Sequence, residues 1–91
     1  MEWITLQYPK GDASFLESKG PFDMVIANIN RNILLADMKH YIARMNPGAE
    51  LLMSGFYIDD IPVIREEAER NGLHFVHHRE KNRWAAVKFQ K

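Results

Sequence analysis

Phe22-Asp23-Met24-Val25-Ile26-Ala27-Asn28-Ile29-Asn30-Arg31-Asn32 decides the reading of this chain, because four apolar residues at 24–27 run without alternation into three asparagines. An unbroken apolar run of that length predicts a short strand covered on both faces, as in a parallel sheet. Open α/β sheets place ligands beyond the carboxyl ends of such strands. Asparagine suits that position, since its amide donates and accepts without the desolvation cost of a charge. The competing reading of Asn28, Asn30 and Asn32 is loop filling and helix capping, which asparagine also does by bonding to free backbone amides.

Downstream, Leu34, Met38, Tyr41, Ile42 and Met45 fall at helical spacing, with Asn30 or Asn32 to cap the start and Asn46-Pro47-Gly48 to stop the helix. Leu51-Leu52-Met53 repeats the buried-strand pattern, and Ser54-Gly55 ends it. A second helix is expected from about Ile61, with Asp59 and Asp60 at its positive end, Pro62 in the first turn, Ile64 and Ala68 inward, and Gly72 as the stop. Residues 73–78 and 84–89 read as strands, and the short link Arg79-Glu80-Lys81-Asn82-Arg83 forces them antiparallel, since a parallel crossover needs a dozen or more residues. Upstream, residues 3–8 form another candidate strand before a stretch rich in turn formers. The fold class is α/β, a parallel sheet with an antiparallel carboxy-terminal hairpin and two helices. Residues 1–91 make one domain, with 1–20 an amino-terminal segment that is either mobile or an edge strand.

A chain of 91 residues buries about 60 to 65% of its unfolded surface, an adequate core without reserve. Lysine plus arginine equals aspartate plus glutamate at 12 each, so no net field draws the chain to nucleic acid or an anionic membrane. The locally basic stretch from His77 to Trp84 reads as a polar hairpin loop, and nucleic acid is not expected as a partner. There is no cysteine, no apolar run long enough for a bilayer, and no export signal in Met1-Glu2-Trp3, which together point to a soluble cytoplasmic protein. His77 and His78 point to opposite faces of a strand, and His74 and His78 stand about 13 Å apart at strand rise, so no metal site is expected.

The order of strand, asparagine loop, helix, Asn-Pro-Gly turn, strand, Ser-Gly, helix and hairpin resembles the carboxy-terminal half of the class I S-adenosylmethionine-dependent methyltransferases. More specifically, Ala27-Asn28-Ile29 with Asn32, Pro47-Gly48-Ala49-Glu50-Leu51, Ser54-Gly55 and Arg79-Glu80-Lys81-Asn82-Arg83-Trp84 resemble the PrmA-type enzymes that methylate large-subunit ribosomal protein eleven. The resemblance runs from about Gly11 to Lys91. It implies a partial Rossmann-like sheet in which Asn28 stands beside both the methyl donor and the amine to be methylated. In that assignment Asn28 is catalytic by position, holding a neutral amine or fixing the methionine end of the cofactor for in-line attack. Asp12 and Ala13 would lie near the adenine, although Asp12 also reads as an ordinary turn residue. Asn30, Phe56 and Tyr57 would line the substrate side, and no metal is implied.

The departures from the family are as informative. Neither the glycine-rich turn nor the acidic ribose-binding residue of the family is present, and Gly11, Gly20, Gly48, Gly55 and Gly72 are scattered. The chain therefore keeps one wall of the expected cleft and lacks the other. S-Adenosylmethionine is expected in the complete enzyme, with no tight binding to these residues alone. The strands holding Met24, Leu51, Trp84 and Leu73 should lie side by side in that order, leaving the Met24 strand an open edge. Such an edge invites residues 3–8, a second copy or a complementing chain. Three functions follow as expectations: a ribosomal protein methyltransferase completed by its missing half, a non-catalytic module pairing through its sheet edge, or, least favoured, an RNA-binding accessory domain.

Overall fold

The computed structural model describes residues 3–6 and 20–91. The readings placed on Asp12, Ala13 and residues 7–8 lie outside them. The elements run β1 (Trp3–Leu6), β2 (Phe22–Asn28), α1 (Arg31–Ala43), β3 (Met45–Tyr57), a single 3-10 turn (Ile58–Asp60), α2 (Ile61–Arg70), β4 (His74–Lys81) and β5 (Trp84–Gln90). Among the described residues they build one five-stranded sheet in the order β1-β2-β3-β5-β4. Strands β1, β2 and β3 are mutually parallel, and β5 is antiparallel to both β3 and β4. The strand order expected from the sequence for β2, β3, β5 and β4 is the observed one. The open edge of β2 is taken by β1, with Ile4 opposite Val25 and Thr5 opposite Ile26.

Register sorts side chains into two faces. One row runs Val25, Leu51, Phe89, Phe75 and another Ala27, Met53, Val87. Both point toward the helices, where Leu34, Met38 and Tyr41 of α1 and Ile64 and Ala68 of α2 are all at 0% exposure. The helices pack against each other and against β3, β4 and β5. The opposite face carries Met24, Ile26 and Leu52, all half-buried, beside the exposed Trp3 and Thr5. This corrects the two-sided burial expected for residues 24–27: α1 and α2 share one face, and nothing among the described residues covers the other. Toward β5 and β4 that open face turns polar, with Lys88 Nζ 2.5 Å from Glu50 Oε2 and with His77 and Arg79 exposed.

Element boundaries shift where backbone geometry overrides local signals. Asn30 caps α1, its Oδ1 accepting from the Asn32 and Ile33 amides at 2.8 and 3.4 Å. Helix α1 ends at Ala43, so Met45 opens β3, and Asn46-Pro47-Gly48 forms an irregularity within that strand where it was expected to stop the helix. The pairing jumps from Phe22 opposite Met45 to Met24 opposite Glu50, so residues 46–49 of β3 stand against Asp23 alone. Gly48 at φ +85° has open space around its α-carbon, so it is the backbone conformation that asks for glycine there. Lys91 closes this corner. Its Nζ donates to the carbonyls of Ile42 and Met45 at 2.7 and 2.9 Å, and its main chain pairs with Gly48 and Ala49. Strand β4 extends to Lys81, shrinking the expected five-residue link to Asn82 (φ 51°) and Arg83 (φ 70°). Two consecutive left-handed residues are the type I′ turn that matches strand twist, and asparagine tolerates the first of them.

Candidate active site

Strand β2 ends at Asn28, opposite Ser54 of β3, and a cleft of about 420 Å³ opens at that end of the sheet. Its lining comes from four places: Asn30 to Asn32 at the start of α1, Gly55 to Tyr57 at the end of β3, Asp60 in the 3-10 turn, and Trp84 at the start of β5. A parallel pair followed by a helix delivers the first of these, because the chain must turn at the strand's carboxyl end to begin α1.

The end of β3 is shaped by a second bulge. Pairing with β5 steps from Ser54 opposite Ala86 to Phe56 opposite Ala85, leaving Gly55 as the extra residue at φ +97°. Without the bulge, alternation from the buried Met53 would turn Phe56 outward. With it, Phe56 goes into the core at 2% exposure and Tyr57 turns out, 48% exposed, opposite Trp84. The two rings stack with centroids 4.5 Å apart and planes at 23°, an arrangement worth about 1 kcal/mol beyond area burial. They leave an aromatic wall facing solvent on the cleft.

Polar groups below the rings are tied down. Arg31 bonds Asp60 Oδ1 at 3.0 Å, and Asp60 Oδ2 accepts the Tyr57 amide at 3.1 Å. Arg83 pairs with Asp59, and its carbonyl accepts from the Ile58 amide at 2.9 Å, fixing the hairpin turn to the end of β3. Each charge at the rim is therefore met by its opposite, and the cleft offers amides and aromatic faces. No group of three His, Cys, Asp or Glu side chains suited to a metal lies together among the described residues. Such a surface can orient a ligand and favour a cation over its rings.

Of the residues singled out from sequence, Asn30, Phe56 and Tyr57 come together at this cleft. Asn30 spends its side-chain carbonyl on capping α1, and Phe56 contributes from inside the core. Asn28 is exposed between the buried Ala27 and Ile29 and sits one step behind the lining, its side chain against Gly55. Sequence reasoning missed Arg31, Gly55, Asp60 and Trp84 as parts of the site. Glycine ahead of two adjacent aromatic residues was a readable signal for a bulge. The meeting of Tyr57 and Trp84 depends on long-range register and had no local signal.

With that geometry in place, the likenesses to known proteins are specific. The family model described as "Ribosomal protein L11 methyltransferase (PrmA)" matches residues 4–91. A relative of that name from Bacteroides fragilis is 78% identical over 80 residues, covering 88% of this chain and 29% of its own length. Its counterpart from Bacteroides thetaiotaomicron is 76% identical over 80 residues with the same coverage. The chain thus spans about 29% of the length of these curated relatives. Among solved structures, a ribosomal protein L11 methylase from Lactobacillus delbrueckii subsp. bulgaricus superposes at a TM-score of 0.75 with 23% identity, over 82% of this chain and 39% of that one. A methyltransferase from Pyrococcus furiosus superposes at 0.66 with 16% identity, over 80% of this chain and 42% of that one. At those identities the structures speak for a shared fold, while the sequence match settles descent. No helix among the described residues is long and apolar enough to cross a membrane. The chain belongs to the ribosomal protein L11 methyltransferase (PrmA) family.

Proposed function

We propose that this chain is the carboxy-terminal part of a cytoplasmic protein methyltransferase that transfers a methyl group from S-adenosylmethionine to amines of ribosomal protein L11, and that it is inactive by itself. One observation carries the reading: the parallel pairing of β2 with β3 runs out at Asn28 opposite Ser54, and an amide-rich, aromatic-walled cleft opens at that end of the sheet. The donor fits these residues in part. Amide groups and the Tyr57–Trp84 faces suit a sulfonium and an amino acid moiety. The described glycines, at positions 20, 48, 55 and 72, are too dispersed to build a backbone nest for the nucleoside side.

S-Adenosylmethionine would supply an electrophilic methyl group. The chain's own residues then orient and shield: Asn28 accepts an N–H of the neutral amine and aims its lone pair, while the stacked rings exclude water from one side. Asp12 and Ala13 are assigned to the adenine side, and Asn30, Phe56 and Tyr57 to the amine-bearing substrate.

A chimera tests this. The amino-terminal portion of the Bacteroides fragilis relative, fused in frame to residues 4–91, is assayed for methyl transfer to ribosomal protein L11. Activity in the chimera and its loss in the Asn28→Ala chimera are expected, with no micromolar donor binding by the 91-residue chain in calorimetry. An inactive chimera beside an active intact relative refutes the functional reading, and micromolar binding by the chain alone refutes its incompleteness.

A non-catalytic interaction module is the second reading, favoured by the apolar face that α1 and α2 leave uncovered. Here a complementing chain, or a second copy, would cover that face. Sedimentation at rising concentration separates the two forms, and a strict monomer removes self-pairing.

A further inference from the structure

The geometry points to Gly55 as a positioning residue that seats the Asn28 side chain and, through the same bulge, turns Tyr57 toward Trp84. A Cβ built on Gly55 would fall 2.7 Å from Asn28 Oδ1 and 3.2 Å from both the backbone nitrogen and the carbonyl oxygen of Ile29. The bare α-carbon is therefore the surface on which the Asn28 side chain lies. The seat itself is rigid: the Ile29 amide donates to the Ser54 carbonyl at 3.1 Å, and Asn28 and Ser54 are register partners. Neither the Asn28–Ile29 turn nor the Ser54 backbone can retreat from an added methyl without breaking that bond.

Gly55 also has a second duty. It is the unpaired residue of the bulge between Ser54 and Phe56, and its φ of +97° is a conformation that L side chains rarely adopt. That conformation reverses the alternation of β3, so Phe56 fills the core and Tyr57 reaches the solvent side opposite Trp84. One residue thus sets two features at this end of the sheet, the amide behind the cleft at the end of β2 and the aromatic wall at the end of β3. Its importance for methyl transfer rests on the proposed function, whereas its hold on Asn28 does not.

A double-mutant cycle on the 91-residue chain reads that hold directly. The four chains are the parent, Gly55→Ala, Asn28→Ala and the double variant, each unfolded in urea. Left-handed strain and the Ile29 contacts burden Gly55→Ala equally in both backgrounds, so the coupling isolates the Asn28 side chain. We expect Gly55→Ala to raise the unfolding constant about tenfold more in the parent than in the Asn28→Ala background, the scale of coupling between touching residues. The Asn28 side-chain amide resonances should also move in Gly55→Ala while the parallel contacts between Ala27 and Met53 persist. Additive effects together with unmoved Asn28 resonances overturn the inference. Should Gly55→Ala fail to fold, a nuclear Overhauser contact between the Gly55 α-protons and the Asn28 side chain in the parent decides, and its absence overturns the inference equally. In the active chimera, Gly55→Ala should lower kcat at least tenfold with KM for the protein substrate little changed. A chimera without activity sinks the functional reading and leaves the cycle standing.

Discussion

Leu51 and Leu52 are chemically identical neighbours on one strand, and their truncation should measure how unequal the two faces of the sheet are. Leu51 is at 0% exposure beneath α1 and α2, whereas Leu52 is half-buried on the uncovered face, flanked by Ile26 on one side and Lys88 on the other. Removing a fully enclosed leucine side chain to alanine costs about 3 kcal/mol, since transfer and cavity terms add. Leu52 leaves no enclosed cavity, so only the lost area counts, about 1 kcal/mol. The difference of about 2 kcal/mol is a roughly thirtyfold ratio of unfolding constants, in a chain whose total stability is of the order of 5 to 14 kcal/mol. Urea unfolding of both variants, fitted with a common slope, gives the two numbers. Equal costs at low protein concentration would refute the one-sided sheet. A Leu52→Ala cost that climbs toward the Leu51→Ala value as concentration rises would instead reveal a second copy seated on that face.

Two further substitutions probe how the site's scaffold is held. Lys91→Met keeps the aliphatic stem but strips a charged donor from the Ile42 and Met45 carbonyls; we expect a loss of about 2 kcal/mol in urea unfolding, and a change under 0.5 kcal/mol would show that water replaces the ammonium. Arg83→Gly removes a side chain from a left-handed position at φ 70° and breaks an exposed ion pair with Asp59. Surface pairs contribute little and Asn-Gly is favoured in this turn, so thermal unfolding should shift upward by a few degrees, and a fall in Tm would show that the Asp59 link outweighs the strain.

How much of this was legible in the sequence depends on the range of the interaction that decides each feature. Strand and helix identities and the terminal hairpin follow from patterns within about a dozen residues, the parallel pairing of β2 with β3 follows from the helix that joins them, and all stand in the structure. The helix stop assigned to Asn46-Pro47-Gly48 failed because Arg44 had already left helical geometry, and its carbonyl accepts the Phe22 amide at 2.7 Å. The three asparagines split by geometry: Asn30 became a cap, Asn32 accepts from Arg31, and Asn28 stayed exposed at the strand end. Trp84 and Asp60 entered the site through register and a 3-10 turn, neither of which a local pattern encodes.

The composition of the uncovered face bears on what the chain is fitted to. A sheet face meant for water carries the polar residues of strands that alternate, and around β4 and β5 this face does so, with His77, Arg79, Lys88 and Gln90. Around β1, β2 and β3 apolar residues predominate, since Trp3, Met24, Ile26 and Leu52 gather there beside Thr5 and Glu50, with no cover from α1 or α2. Apolar residues are thus placed where the strands are parallel, the arrangement that elsewhere is buried on both sides. That matches a chain spanning about 29% of its relatives' length: on the proposed reading, whatever layer covers Met24, Ile26 and Leu52 also stands at the carboxyl end of β2, across from Asn28. Core burial and assembly of the cleft are then a single event, so a substitution on the open face such as Leu52→Asp should spare the isolated chain more than it spares methyl transfer in the chimera. Were the chimera to keep full activity with aspartate at that position, the second wall of the cleft would have to be held by something other than the sheet's uncovered side.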